Sequence, residues 1–399
     1  MAKILTEVWD MSRGFLSAND PIIELPRAFT ALDQFGAELP KLLAAEAVGK
    51  QVRNLPIFDL SGANREIAER AMMLYSFIGQ AYVWEEWREN KPRGIIPTNI
   101  AVPWYALAEM LGREPILSYA SYALYNWRRI EKKGHVVLGN ICLLQNFYGG
   151  LDEEWFILPH VAIEREAILI VLSGTLMMES VRKKDMDGTT SFLGSMRIGL
   201  KNVNEVMSRM PDGCDPYIYY NRVRPFIQGW KSDAKDAPLP QGIIYEGVEK
   251  FAGEPQRFRG ETGAQSTIVP SLDAFFGVVH ADWLPDGSPD ILKGYLLDMR
   301  NYMPKEHREF LNDLEVFAEK YSLRGLISKN KNNAGLKETY NACLEELVKF
   351  SDMHYDYATR YIHRQVPKGA NPTETGTGGT PFMKYLKKHR DERLACLVV

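Results

Sequence analysis

The stretch Ala167–Met178 constrains this chain more than any other: an apolar-rich run closed at both ends by a carboxylate, Glu166 and Glu179. A helix that is apolar all round has to be packed all round. The run is too short to cross a bilayer, which takes about 20 residues. Its place is therefore the middle of a helical core, and the reading extends it to one central helix over Trp155–Ser180. A chain of 399 residues is long enough to bury such an element.

Composition excludes several function classes. The chain carries 48 Lys and Arg against 51 Asp and Glu, a net charge of −3. Broad nucleic-acid binding needs a basic stripe to displace counterions, so no nucleic-acid partner is expected. The cysteines Cys142, Cys214, Cys343 and Cys396 form no CxxC pair, which argues against a disulfide framework or a structural zinc site. The opening MAKILTEVWDMSRG has early acidic residues and no apolar core of a signal peptide. A reduced, cytoplasmic protein without a membrane partner is expected. No dimerisation signature stands out, so a monomer is expected.

Punctuation divides the chain. Tyr148-Gly149-Gly150-Leu151 is the strongest boundary signal. Residues 1–150 read as a small mixed, mostly helical domain. Helices are expected at Asn64–Gln80, Pro103–Leu111 and Ile116–Ile130, with a β-like run at Gly134–Leu138. Residues 151–399 read as a large all-α domain, making the fold class mainly α. Thr189–Arg209 is a helix with a Thr/Ser cluster available to cap it. Pro216–Trp230 looks helical and aromatic, but Pro225 must interrupt it. Gly229–Gln265 reads as a long loop, and loops of that length in compact domains are usually functional or disordered. Helices follow at Ser266–His280, Asp290–Tyr302, Pro304–Tyr321 and Gly335–Arg364. A loop over Val366–Thr380 then leads to a basic helix over Pro381–Arg393.

Three side chains stand out chemically. His354 falls on the apolar stripe of the long helix with Leu347, Ala358 and Tyr361. A lone core histidine is usually just hydrogen-bonded, and nothing near it resembles a zinc motif. A metal bound by one protein ligand must find its other ligands elsewhere, and a porphyrin supplies four nitrogens. His160, in Trp155-Phe156-Ile157-Leu158-Pro159-His160, needs a partner or a ligand amid apolar neighbours. Arg224, among Tyr219, Tyr220, Phe226 and Trp230, can clamp a carboxylate bidentately, or simply stack on the rings. The glycine-rich Arg259–Ser266 allows close backbone approach to a flat ligand. Thr375–Thr380 lacks the ending of a phosphate loop and reads as a lid or a flexible connection.

Taken together, several collinear motifs resemble the indoleamine 2,3-dioxygenase family: Pro97–Pro103, Pro115–Ala120, Gly229-Trp230-Lys231 with Ile244–Gly247, Gly263–Ser266, Asp298–Pro304 and Gly376–Thr380. The resemblance implies a haem b cofactor with His354 as proximal iron ligand and Arg224 as the arginine that binds the substrate carboxylate. Tyr219 and Tyr220 stand where the family places pocket phenylalanines. Phe156, Tyr119 and Tyr122 match residues lining the indole pocket. Thr262 and Gly263 match the backbone over the distal haem face, Thr377 the lid residue, and Asp273 a buried acid behind the haem. The substrates implied are L-tryptophan or a related indole, with dioxygen. The product implied is N-formylkynurenine, from opening of the indole C2–C3 bond.

Two positions depart from the animal pattern. His160 replaces a serine and resembles the distal histidine of tryptophan 2,3-dioxygenases, which hydrogen-bonds the indole N–H. Ser351 replaces an arginine able to pair with a haem propionate, so another cation must serve. These departures keep two alternatives open: haem-dependent mono-oxygenation of a substituted indole, and a non-catalytic haem-binding sensor.

Overall fold

The computed structural model describes residues 13–232, 237–280, 283, 287, 291–365, 375–380 and 382–398. The N-terminal residues 1–12, most of the expected Val366–Thr380 loop and the first residue of the expected Pro381–Arg393 helix lie outside them. Helices dominate the described chain. The described strands are four pairs of residues: β1 (Ile95–Ile96), β2 (Arg128–Arg129), β3 (Ile141–Cys142) and β4 (Ile244–Tyr245). β1 pairs parallel with β4 and β2 antiparallel with β3. A mainly α fold is what the periodicity requires. Among the described residues no helix is long and apolar enough to cross a membrane.

The first part contains α1 (Thr30–Ala44), α2 (Val48–Val52), α3 (Arg65–Trp84) and α4 (Thr98–Leu111). Asn64 caps α3 by accepting from the Ile67 N–H, and almost the whole of α3 is buried. α4 begins five residues before the expected Pro103, which sits inside it, and Gly112 ends it in the left-handed region at φ 65°. Ile116–Ile130 is not a helix. It holds only a π-helical turn at Ala120–Leu124 and then β2. Gly134–Leu138 forms turns rather than a strand.

The expected central helix is two helices, α5 (Leu151–Glu166) and α6 (Ile168–Lys183). The cause is distant in sequence. The chain near Gly14 docks on the junction, and the Phe15 N–H donates to the Glu164 carbonyl at 3.1 Å. Gly14 has φ 60°, and a Cβ there would lie 2.2 Å from that same carbonyl oxygen. The turn before α5 is held by Glu153, whose carboxylate accepts from the backbone N–H groups of Phe147, Tyr148 and Gly149.

α7 (Met186–Ser208) is capped by Asp185, which accepts from the Gly188 N–H, and not by the Thr/Ser cluster. Thr189 and Thr190 instead bond back to carbonyls one turn earlier. After α7 the chain runs through a π turn at Tyr219–Val223 and a 3₁₀ turn at Arg224–Ile227, the interruption that Pro225 demands. Then come α8 (Ile268–Phe276), α9 (Ile291–Met299), α10 (Lys305–Lys320), α11 (Leu323–Lys329), α12 (Ala334–Tyr361) and α13 (Phe382–Leu394). α6 packs on α7, α7 on α12, and α12 on α13. α5 meets both the Ala120–Leu124 turn and the Tyr219–Val223 turn, and α3 meets Arg224–Ile227. These contacts across residue 150 bring the candidate residues together.

Candidate active site

α5 sets one wall. His160 lies one turn after Phe156 and its Nδ1 bonds the Phe156 carbonyl at 2.7 Å. A carbonyl only accepts, so Nδ1 carries the proton and Nε2 keeps its lone pair. Burial lowers the pKa of His160, which favours this neutral form. The ring stands edge-on to Phe156 at 5.2 Å and to Tyr119 at 5.9 Å. Phe156 in turn packs on Tyr219 at 4.5 Å and Tyr122 at 6.2 Å. Five of the expected pocket residues thus form one aromatic cage.

His354 projects from α12. The buried stripe expected of this helix is present in Leu336, Tyr340, Leu344, Leu347, Ala358 and Tyr361, but His354 itself is exposed. It is nevertheless enclosed. Desolvation by surrounding protein, with smaller contributions from His160 and Arg393, pushes its pKa down to about 4. An imidazole both enclosed by protein and accessible at its surface borders a recess in the fold. His354 makes no hydrogen bond with any described residue. A neutral imidazole whose nitrogens bond no described residue fits a haem-iron ligand.

Arg224 is 1% exposed. Its Nη2 donates to the Thr375 carbonyl at 2.7 Å, and its guanidinium lies over Tyr220 at 5.7 Å. Nε and Nη1 have no partner among the described residues. Each buried unsatisfied donor costs about 1–3 kcal/mol, so the site is short of an anion.

The glycine-rich segments close over this region. The Gly229 N–H donates to the Thr377 carbonyl at 3.3 Å, and Thr377 Oγ1 donates to the Glu261 carbonyl. A Cβ on Gly260 would meet the Gly229 nitrogen and the Ile227 carbonyl oxygen, each at 2.4 Å, so only glycine fits. Thr262 Oγ1 accepts from the Ala264 N–H and starts the short turn containing Gly263. Arg259 ties the layers together by donating to Asp298 at 2.6 Å and to the Gly378 carbonyl at 2.8 Å. Residues 375–380 are docked, a seated cover rather than a loose connection.

Beside α12 lies a buried charged cluster of which sequence reasoning singled out Asp273 and Ser351 but not Arg393 or His280. Asp273 accepts from Arg393 of α13 through Nε at 3.0 Å and Nη2 at 3.1 Å. Arg393 Nη1 donates to Ser351 Oγ at 2.7 Å. His280 bridges Glu392 at 2.7 Å and Asp273 at 3.5 Å. Burial alone would raise Asp273, but Arg393 and His280 outweigh it and hold the carboxyl well below its usual range. Asp273 is thus tied to α13, and Arg393 brings its guanidinium against Ser351. Also unforeseen are two buried acids at the cage. Burial pushes Glu164 up to about 7, with Ser266 and Tyr119 as partners, and Glu261 up to about 8.

Fold and site define a mainly helical protein with an aromatic cage around a neutral, buried histidine and a buried arginine short of an anion, the makings of a small-molecule enzyme site. Comparison with known proteins makes this specific. The sequence pattern of the indoleamine 2,3-dioxygenase family matches residues 7–395, and the chain belongs to that family. It is 31% identical over 382 residues to indoleamine 2,3-dioxygenase 1 of Rattus norvegicus, covering 93% of this chain and 90% of the rat protein. It is 30% identical over 423 residues to indoleamine 2,3-dioxygenase of Saccharomyces cerevisiae, covering 96% and 91%. It is 30% identical over 394 residues to indoleamine 2,3-dioxygenase acdA of Aspergillus candidus, covering 96% and 94%. The chain is accordingly an enzyme, a haem-dependent oxidoreductase.

Proposed function

We propose that this enzyme opens the indole C2–C3 bond of L-tryptophan or a related indoleamine, giving N-formylkynurenine. The names of its relatives support the reaction class. The observation that carries the reading is the aromatic cage of Phe156, Tyr119, Tyr122 and Tyr219 beside His160, with the buried Arg224 left short of an anion. His354 would hold haem b, which would supply the dioxygen chemistry. Thr262, Gly263 and Asp273 belong to the walls that would hold it.

The chain's own residues position the substrate. Arg224 binds the carboxylate through the donors it now leaves unused. Phe156, Tyr119, Tyr122 and Tyr219 hold the indole ring between them, and Tyr220 stacks on the guanidinium that fixes the other end. His160 Nε2 accepts the indole N–H and orients the ring without serving as an obligatory base. The segment of Thr377 shuts out water, which strengthens each of these contacts. Fixing the reacting carbons in this way is the entropic part of the catalysis.

The test is His354→Ala purified with haem supplied. Loss of the Soret band is expected, and unchanged haem content would overturn the assignment. The polar tyrosines and His160 favour one second reading, mono-oxygenation. Product mass from labelled dioxygen separates the two, because two inserted atoms support the reaction above and one supports the alternative.

A further inference from the structure

Among the described residues one group brings three metal-ligating side chains together: Asp273 of α8, His280 just past its end, and His389 of α13. One ligand atom from each lies within 4.8 Å of the other two. His280 Nε2 stands 3.5 Å from Asp273 Oδ2. The ring of His389 stands edge-on to that of His280 at 5.0 Å, and its Nδ1 is buried with no partner among the described residues. A buried nitrogen left unpaired in this way calls for an ion or ligand to complete it.

Spacing and support both fit a metal. Zinc bonds imidazole nitrogen and carboxylate oxygen at about 2.0–2.2 Å, so tetrahedral ligand atoms sit roughly 3.4 Å from one another. His280 Nε2 and Asp273 Oδ2 already have that separation. The remaining gaps, none wider than 4.8 Å, close with side-chain shifts of about 1–1.5 Å. Glu392 supplies the outer support: its Oε2 accepts from His280 Nδ1 at 2.7 Å, which leaves Nε2 for the ion. Ligating histidines are commonly oriented by a carboxylate in this way. Arg393 donates once to each oxygen of Asp273. A carboxylate has about four lone-pair sites, so Oδ2 can still bind an ion. Two imidazoles and a carboxylate suit zinc, whereas magnesium and calcium favour all-oxygen ligand sets.

We propose that Asp273, His280 and His389 form a site for a zinc ion, oriented by Glu392, that ties α13 to the end of α8. The site shares no residue with the aromatic cage and does not depend on the reaction proposed above. The ion takes the place of the proton on His280 Nε2, so binding releases a proton. Its ligands come from distant parts of the sequence and meet only in the folded chain, so the ion stabilises the fold by mass action.

The experiment uses the haem-loaded full chain, dialysed against buffered zinc, with zinc and iron counted separately. About one zinc per chain should be retained at free zinc on the order of 1 µM, and millimolar magnesium should not displace it. His280→Ala and His389→Ala should each weaken binding at least about tenfold, and Glu392→Gln should weaken it by about 10–100-fold. Zinc-edge X-ray absorption on the unmodified protein should show imidazole and oxygen ligands at about 2.0–2.2 Å and no sulfur. Zinc should raise the Tm of the unmodified protein and leave that of His389→Ala where it was. Failure of the unmodified protein to retain zinc at that concentration would overturn the proposal. So would sulfur scattering at about 2.3 Å, which would place the ion on a cysteine, or zinc uptake unchanged in His389→Ala. Stoichiometry and ligand type are read on the unmodified chain, so a misfolded variant does not blunt the test.

Discussion

Arg393 of α13 donates to Ser351 of α12 at 2.7 Å, and Ser351 lies just under one turn before His354. α13 thereby brings a guanidinium to the stretch of α12 just before His354. It is 3% exposed and doubly bonded to Asp273. Removing one partner of a buried pair strands the other charge, at a cost of about 3–5 kcal/mol. Arg393→Leu should lower the urea midpoint accordingly and weaken haem retention. Arg393→Leu combined with Asp273→Asn should recover much of the stability, because no charge is then left unpaired. A double variant no better than the single one would show that the pair contributes through packing alone.

The same cluster predicts a pH dependence. Burial would depress His280, but Asp273 and Glu392 overcome it and raise the imidazole to about 9. A group whose pKa is raised on folding stabilises the fold fully below its unfolded value of about 6.5, and that contribution disappears as pH climbs through the folded value. Stability should therefore fall between about pH 7 and pH 10, by at most about 3 kcal/mol for this group. His280→Gln should flatten the curve over that range. Urea midpoints at pH 6, 8 and 10 for both proteins provide the check.

The long helices were legible because their apolar residues keep helical spacing, as with Leu336, Tyr340, Leu347 and Tyr361 on α12. The strands were not, because two-residue pairings such as Ile95–Ile96 leave no alternation to read. The break at Ala167 depends on Phe15 docking from far away, so no local pattern announces it. Arg393 sits in Lys387-Lys388-His389-Arg390-Asp391-Glu392-Arg393, a run that looks like a solvated face. Only packing on α12 distinguishes the one arginine that is buried. Glu261 lay inside a segment noted for its glycines, where a carboxylate reads as loop polarity until its neighbours are known.

Arg224 should behave unlike an ordinary buried ion-pair partner. With Nε and Nη1 unpaired, it gives the substrate-free protein little in return for its burial. Arg224→Leu should therefore leave the urea midpoint unchanged or raise it. The same substitution should raise KM for tryptophan by the equivalent of about 2–4 kcal/mol, the usual loss when one side of a charged contact is removed. Haem content should not change. A KM equal to that of the unmodified enzyme would rule out the clamp.

His160 offers a sharper test, since its Nδ1 is committed to the Phe156 carbonyl and only Nε2 is left to accept. A ligand with an indole N–H should outbind its N-methylated counterpart, which lacks the donor and crowds the ring. One neutral hydrogen bond is worth about 1 kcal/mol, or roughly fivefold in affinity. His160→Ala removes the acceptor and opens space, so the preference for L-tryptophan over 1-methyl-L-tryptophan should shrink or reverse while the Soret band persists. Raising pH from 6 to 8 should leave the preference of the unmodified protein flat, because burial already keeps His160 neutral. A preference that appeared only above neutral pH would mean that the imidazole is charged in the pocket and donates rather than accepts.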